Sequence, residues 1–316
     1  MESKVEIIVP IYNKELTIKK CLASIEEQSY KNISILMIDD GSTDNSKKIC
    51  EYYEKKDDRF LLITKKNGGV SSARNKGLEN VKGDYLLFVD ADDFLECRYV
   101  ETLLKYASSP FVVSGYKIFN EKLSLIDKAI PNAYMSKNWE SIVKYIFDSK
   151  NLKFFTSPWG KLFKTEYIKK NRIKFRNISY GEDMCFVFDY MKAVRQIHVI
   201  SECEYGYVLE PNSLSRSKID NIWNKLNDIN EYCRNEYYKK YDTVWNYMYI
   251  RIIKISLANS NRTYKEFYAQ AKNIIEDKEF YHVCCKKLNS INDKIIYFLI
   301  KTHFYKILYI SFKIKG

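Results

Sequence analysis

The chain has 316 residues, of which 46% are hydrophobic and 29% charged, and it contains only 10 glycines and 5 prolines. This composition is typical of a folded globular protein and excludes disordered and collagen-like chains. The formal net charge of +12 favours an anionic partner, such as a nucleotide, a nucleic acid or an acidic membrane surface. The length allows about two domains, or one large domain with additions.

The first hundred residues alternate strand and helix patterns. Short apolar runs predict strands, at residues 5–9, 33–38, 60–63 and 85–89. Apolar residues at helical spacing predict helices, at residues 14–28, from Ser42 or Thr43 to about residue 55, and at 70–78. We expect Pro10 to end the first strand. This alternation predicts an α/β fold with a mostly parallel sheet and helices on both faces.

The pattern changes later in the chain. Mixed strand and helix signals run from about residue 99 to 216, with a helix predicted at 182–194. Beyond Ser217, long helical stretches contain no proline, and no glycine before Gly316. We therefore expect a boundary near residue 217.

Three of the predicted strands are followed by loops that contain candidate ligand-binding residues. The loops are Pro10 to Asn13, Asp39 to Ser42, and Asp90 to Asp93. Because ligands of open parallel sheets bind beyond the carboxyl ends of the strands, we expect these loops to converge on one crevice. The clustered carboxylates would repel one another unless a cation or hydrogen-bond donors lie among them. Oxygen ligands that leave open positions suit Mg²⁺ or Mn²⁺ shared with phosphates.

Four motifs, in this order and spacing, resemble the family 2 glycosyltransferases of GT-A fold: Val9 to Glu15, Ile38 to Asp44, Asn67 to Gly77, and Phe88 to Asp93. The resemblance implies a Rossmann-like, mostly parallel sheet flanked by helices, with a C-terminal helical extension. It implies that residues 1–98 form the nucleotide-sugar-binding half of the GT-A domain and residues 99–216 the acceptor-binding half. Residues 217–316 would form a helical region, membrane-associating in one interpretation.

The family resemblance implies an inverting transfer from a UDP-sugar, with donor-side roles for four residues. Pro10 and Tyr12 would line the pocket for the base and ribose. Asp40 would accept a hydrogen bond from the uracil imide N–H, and Arg74 would face the nucleotide. The alternatives are a strand stop for Pro10, a core aromatic for Tyr12, a turn residue for Asp40 and an exposed helical position for Arg74.

The resemblance also implies a divalent metal, Mn²⁺ or Mg²⁺. Asp92 would be its direct ligand, and Asp90 would contact the ribose or the metal. The ion would stabilise the negative charge that builds on the departing diphosphate. Asp93, in the alternative interpretation, caps a helix beginning at Phe94.

Inversion requires a base on the face of the sugar opposite the leaving group. Asp183 resembles the aspartate of the family's Glu-Asp motif at a helix start, and Asp189 is a rival. In the alternative interpretation, Glu182 and Asp183 stabilise the helix dipole.

Other segments resemble the acceptor side of these enzymes and a loop that closes on the diphosphate. The first contains Trp159 and Lys161, where the indole would stack on a sugar unless it packs in the core. The second contains Ser213, Ser215 and Arg216.

Residues 286–316 contain seven lysines and one acid, so they contribute +6 of the net +12. Their aliphatic and aromatic residues favour a helix lying in an anionic membrane surface, and a terminal helix packed on its own domain is the alternative. We find no signal-peptide pattern, no membrane-spanning stretch and no nucleic-acid-binding motif. We therefore expect a cytoplasmic protein, at the inner face of the cell membrane if it docks there, without a nucleic-acid partner.

The sequence therefore predicts a metal-dependent inverting glycosyltransferase of cell-surface polysaccharide synthesis, acting on a glycan acceptor that is lipid-linked in our interpretation. One alternative is a nucleotidyltransferase, which would need a phosphate-binding loop that Tyr12 to Glu15 does not provide. The other is a catalytically inactive relative that binds a nucleotide sugar.

Overall fold

The computed structural model describes residues 2–148, 150–178, 180–209, 219–238, 242–260, 263–283, 285, 288 and 290–315. These residues form two compact units. The first contains the described residues of 2–142, 151–178 and 182–209. The second contains residues 143–148, 150 and 180–181 and the described residues from 219 onward.

The chain begins with alternating strands and helices. The strands are β1 (Val5–Ile11), β2 (Ile33–Asp39), β3 (Phe60–Thr64) and β4 (Tyr85–Phe88), and the helices are α1 (Ile18–Glu26), α2 (Ser46–Lys56) and α3 (Val70–Asn80). Strand β1 pairs in parallel with β2 and β4, and β2 pairs in parallel with β3. Every residue of β1 is buried, because a central parallel strand is covered on both faces.

The next elements complete a larger sheet and add a smaller one. They are β5 (Phe94–Leu95), α4 (Tyr99–Leu104), β6 (Phe111–Val113), β7 (Tyr116–Asn120), β8 (Leu125–Ala129), β9 (Tyr134–Ser136), α5 (Trp139–Ile146), β10 (Lys161–Lys164), α6 (Thr165–Asn171), α7 (Glu182–Val194), β11 (Ile197–Val199) and β12 (Tyr205–Leu209). The larger sheet has the order β3-β2-β1-β4-β10-β6-β11-β9, with β10 antiparallel to both neighbours. The smaller has the order β5-β12-β7-β8.

The second unit is built mainly of helices. They are α8 (Ile222–Cys233), a π-helical segment (Arg234–Tyr238), α9 (Asp242–Asn259), α10 (Tyr264–Glu276), α11 (Ile291–Lys301) and α12 (Tyr305–Lys315). Among the described residues, none of these helices has both the length and the apolar character that crossing a bilayer requires. The predicted α/β class with a C-terminal helical extension is confirmed.

Strand β1 continues through Pro10 to Ile11, so the prediction that Pro10 ends the strand is wrong. The carbonyl of Ile8 accepts from Val89 N on the β4 side, whereas that of Ile11 accepts from Asp40 N on the β2 side. The backbone groups of β1 therefore point alternately toward β4 and toward β2, and the backbone nitrogen of Pro10 points toward β4. Strand β4 ends at Phe88, so no residue of β4 lies opposite the backbone nitrogen of Pro10. A proline at this position therefore costs no hydrogen bond between the strands.

Helix α2 begins at Ser46 and not at a Ser42 or Thr43 cap. Asn13 explains the difference. Its backbone N–H donates to Ser42 Oγ at 3.1 Å, and its side-chain oxygen accepts from Thr43 N at 2.8 Å. These residues bind the loop after β1 to the loop after β2, so they are not available to cap the helix.

Candidate active site

The loops after β1, β2 and β4 meet at the carboxyl edge of the larger sheet. The backbone N–H of Lys14 donates to Ser46 Oγ at 2.7 Å, which joins the loop after β1 to the start of α2. The Lys14 ammonium donates to Asp92 Oδ2 at 2.6 Å, which joins the same loop to the acidic segment after β4. The parallel arrangement therefore brings these loops together as expected.

Asp40 lies against the start of helix α3. Its carboxylate, only 3% exposed, accepts from the backbone N–H groups of Gly68 at 3.1 Å and Gly69 at 2.7 Å, and it pairs with Lys65. Gly69 has a φ of +85°, a conformation that glycine adopts without strain. A carboxylate at this position is also stabilised by the positive end of the α3 helix dipole. Asp40 thus anchors α3, while its contact with a uracil base stays a prediction.

Arg74 projects from α3 and connects two acidic segments. Its guanidinium is buried, at 3% exposed, and so it is not the exposed helical residue of the alternative interpretation. One nitrogen donates to Asp183 Oδ1 at 2.6 Å and another donates to Asp90 Oδ1 at 2.9 Å. Burial acts to lower the pKa of Arg74, but the two carboxylates outweigh it and raise the pKa above its usual value. The guanidinium carbon also lies 5.3 Å from the centre of the Phe175 ring.

Asp183 lies in the first turn of helix α7, beside this guanidinium. Burial raises its pKa to about 7, and the Glu182 and Asp90 carboxylates act in the same direction, whereas Arg74 opposes them. A quarter of the side-chain surface of Asp183 stays exposed. The group therefore combines access from solvent with a pKa near neutrality, which is what a general base needs. Its rival Asp189 accepts from Arg176 at 3.1 Å.

Lys161 is a second titratable group close to Asp183. Its side chain is buried, and its ammonium donates to the carbonyl of Trp159 at 2.9 Å. Burial lowers the pKa of Lys161 to about 7, against the opposing effect of Asp183. The predicted acceptor-side lysine therefore lies within electrostatic range of the predicted base.

Trp159 is 9% exposed and belongs to the core of the first unit. Its indole stacks on Tyr205 with ring centres 4.8 Å apart and on Tyr207 at 5.2 Å, and Tyr116 meets its ring edge-on at 4.9 Å. These contacts favour the core-packing interpretation of Trp159. Its stacking on a sugar stays a prediction.

Asp90 and Asp92 are the predicted metal site. Their side chains are 26% and 23% exposed, and each is paired with a cation, Arg74 for Asp90 and Lys14 for Asp92. No cluster of three or more potential metal-ligating side chains occurs among the described residues. Mg²⁺ is commonly bound by one or two carboxylates together with substrate phosphates and not by a protein cage. The carboxylates of Asp90 and Asp92 are accessible, and the Lys14 ammonium beside Asp92 shows that a positive charge is stable there. These two side chains therefore fit a divalent metal ion.

Asp93 does not cap a helix, because Phe94 begins strand β5. The buried Asp93 carboxylate accepts from the Tyr205 hydroxyl at 2.7 Å and from Val208 N at 2.9 Å. Burial and the neighbouring carboxylates Asp90 and Asp92 raise the pKa of Asp93 well above its usual range. Asp93 therefore ties the acidic segment to β12 of the smaller sheet, a role that the sequence did not indicate.

The remaining predicted residues lie apart from these contacts. Pro10 is buried within β1, and Tyr12 is 48% exposed at the end of this strand, so Tyr12 is not a core aromatic. Ser213, Ser215 and Arg216 lie outside the described residues. The sequence reasoning missed Lys14 and Lys65, although clustered carboxylates require positive charge and lysines in the adjoining loops could have supplied it.

Comparison with known proteins identifies the family. The model of the family "Glycosyl transferase family 2" matches residues 6–195. Glycosyltransferase GlyA of Streptococcus pneumoniae serotype 4 is 36% identical over 224 residues, which are 68% of this chain and 32% of GlyA. The putative glycosyltransferase EpsH of Bacillus subtilis is 32% identical over 216 residues, which are 66% of this chain and 62% of EpsH. The matched region is thus less than two thirds of either relative.

The fold is shared with a solved structure. The 1–349 fragment of S. aureus TarS, in complex with UDP-GlcNAc, superposes with a TM-score of 0.71 at 19% identity, covering 96% of this chain and 88% of that chain. This likeness confirms the GT-A fold, and the family match covers more than half of the sequence. The chain therefore belongs to glycosyl transferase family 2.

Proposed function

We propose that this chain transfers one sugar, with inversion, from a UDP-sugar to a glycan acceptor in cell-surface polysaccharide synthesis. The observation that carries the proposal is the bridge that Arg74 makes between Asp90 and Asp183. It joins the acidic strand end, where a nucleotide sugar would bind, to a carboxylate whose pKa suits a base. The UDP-GlcNAc bound to TarS supports UDP as the donor nucleotide.

Asp183 would act as the general base. It would accept the proton of the acceptor hydroxyl while the hydroxyl oxygen forms its bond to the anomeric carbon of the sugar. The bond from that carbon to the diphosphate breaks at the same time, and its electron pair leaves with UDP. A pKa near the working pH keeps much of Asp183 deprotonated and still basic enough to take the proton.

The donor would bind at the carboxyl ends of β1, β2 and β4. Tyr12, which is half exposed, and Pro10 would line the base, while Asp90 would reach the ribose. Asp40 would contact the uracil only if it exchanges part of its present hydrogen bonding to Gly68 and Gly69.

Asp92, with Asp90 as a further ligand, would hold Mn²⁺ or Mg²⁺. When bound, such an ion supplies Lewis-acid stabilisation of charge on the departing diphosphate. The Lys14 ammonium, which now contacts Asp92, would move away from it or turn to the diphosphate.

The acceptor would approach the side of Asp183 on which Lys161 lies. We propose a glycan, lipid-linked and reached from the cytoplasmic face of the membrane, and we propose that Ser215 and Arg216 bind the diphosphate of the donor. Residues 1–98 would form the donor-binding half of the domain and residues 99–216 the acceptor-binding half.

The test is UDP release from UDP-glucose, UDP-galactose and UDP-N-acetylhexosamines with Mn²⁺, by the native chain and by Asp92→Asn. Asp58→Asn, at an acid outside the site, is the matched control. We expect donor-specific UDP release that Asp92→Asn lowers and Asp58→Asn does not. Exchange of pyrophosphate into the nucleotide would show a nucleotidyltransferase, and donor binding without UDP release, even with a mixture of bacterial lipid-linked glycans, would show an inactive relative.

A further inference from the structure

Helix α11 has apolar residues on two opposite faces. Asp293, Tyr297 and Ile300 are buried, and they repeat at the spacing of one helix face. Ile291, Ile295 and Phe298 repeat at the same spacing and are 77%, 48% and 57% exposed. At 100° per residue the two sets point in roughly opposite directions. The first set packs in the second unit and the second set faces solvent.

Helix α12 repeats this arrangement. Tyr305 and Leu308 are buried, and Tyr309 and Phe312 meet the Phe267 ring of α10 with ring centres 5.3 and 5.6 Å apart. The opposite side of the helix carries three exposed aliphatic residues, which are Ile307 at 56%, Ile310 at 50% and Ile314 at 80%. Within the second unit, α11 and α12 also pack against each other. We call the exposed set of Ile291, Ile295, Phe298, Ile307, Ile310 and Ile314 the outer apolar surface.

Exposed lysines lie beside the outer apolar surface. Lys294 and Lys301 are two helical turns apart on one edge of α11, and Lys306 and Lys313 are two turns apart on one edge of α12. The acid of this region, Asp293, is buried and accepts from Lys254 at 2.9 Å. No described acid of residues 290–315 is therefore exposed among these lysines.

We infer that the outer apolar surface and its lysines form a docking site for an anionic lipid bilayer. Exposed isoleucine and phenylalanine beside lysine is the pattern by which helices lie in a membrane surface, with the apolar side chains in the acyl boundary and the ammonium groups at the headgroups. The core of a protein interface is typically depleted in lysine, and a second copy of the chain would bring like charges together. Charge complementarity therefore selects the bilayer.

This inference deepens the proposed function, because it identifies the surface through which the enzyme would approach a lipid-linked acceptor. Binding of this surface to a bilayer does not depend on sugar transfer. Each lysine near an anionic surface strengthens binding about five-fold, and this contribution weakens as salt screens it. Removing three of the lysines should therefore weaken binding about 100-fold.

The experiment is flotation of the full chain with vesicles of phosphatidylcholine, with and without phosphatidylglycerol. The apolar variant is Phe298→Ser/Ile307→Ser/Ile310→Ser, and the lysine variant is Lys294→Gln/Lys301→Gln/Lys306→Gln. Matched controls alter exposed residues of the first unit: Leu61→Ser/Leu125→Ser/Ile126→Ser and Lys47→Gln/Lys122→Gln/Lys128→Gln. Thermal unfolding and donor-dependent UDP release verify that each variant folds.

We expect the native chain and both controls to float with the anionic vesicles, less so at high salt, and both test variants to bind at least ten-fold more weakly. Equal flotation with neutral vesicles, or anionic binding that neither test variant weakens, would overturn the inference. Sedimentation velocity provides a further test, since a dimer that the apolar variant dissociates would assign the surface to a second copy. Vesicle binding without UDP release would leave this inference standing while the proposed function fails.

Discussion

The site around Arg74 and the outer surface of α11 and α12 handle charge in opposite ways. In the site, Arg74 and the lysines Lys14 and Lys65 each pair with carboxylates. On α11 and α12, Lys294, Lys301, Lys306 and Lys313 are exposed, and the acid Asp293 is buried away from them.

The two charge arrangements suit different kinds of ligand. Ion pairs with little solvent around them fix the positions of individual side chains, which suits a small charged ligand whose atoms must be placed accurately. Exposed lysines beside exposed aliphatic side chains fix no such geometry, and they suit an extended surface that has many equivalent anionic groups. The largest predicted effects therefore concern the paired charges.

Replacing Arg74 by methionine should have the largest effect. It leaves Asp90 and Asp183 without their cation, and removal of one partner from a buried pair costs about 3–5 kcal/mol. Lys306→Met, at an exposed lysine, is the control and should change the free energy of unfolding by less than about 0.5 kcal/mol. Urea denaturation measures both. Equal effects of the two substitutions would contradict the comparison.

Asp183→Asn should lower turnover about 100-fold or more, because it removes the proposed base. UDP binding, measured by calorimetry, should stay largely unchanged, since the residue would act on the acceptor. Asp189→Asn is the matched control, at an acid of the same helix that pairs with Arg176. Near-normal turnover of Asp183→Asn would show that the base lies elsewhere.

Tyr205→Phe should lower the free energy of unfolding by about 1–3 kcal/mol, because it leaves a buried oxygen of Asp93 without its donor. Tyr52→Phe is the control, since Tyr52 is 60% exposed. The difference between the two variants is measured by thermal or urea unfolding. Indistinguishable stabilities would mean that the contact between Asp93 and Tyr205 contributes nothing.

The smallest predicted effect is on the pH profile. Because the pKa of Asp183 is raised to about 7, the base is protonated below that pH and free above it. The rate should therefore rise with pH and level off above about 7, and one pH unit below the pKa it should be about ten-fold lower. Initial rates of UDP release at saturating metal test this. A rate that stays constant down to pH 5 would exclude Asp183 as a base with a raised pKa.

Much of the architecture was readable from the sequence. Apolar runs located β1 to β4 because both faces of a central parallel strand are buried, and the alternation with helices predicted a mostly parallel sheet. Strands β7 and β8 of the smaller sheet were missed because they are largely exposed. β7 has no fully buried residue, and four of the five residues of β8 are exposed. Their positions are set by strand pairing, of β7 with β12 and of β8 with β7, and not by a local apolar run.

The acids at the strand ends could be identified from the sequence alone, since Asp39 ends the buried strand β2, and Asp40, Asp90 and Asp92 follow strands whose direction is fixed by the crossovers. The cations that neutralise these acids are set by tertiary packing. Arg74 reaches Asp183 across 109 positions of sequence and Lys14 reaches Asp92 across 78. No local spacing encodes such pairs, because they depend on how α3, α7 and the loop after β1 pack around the sheet.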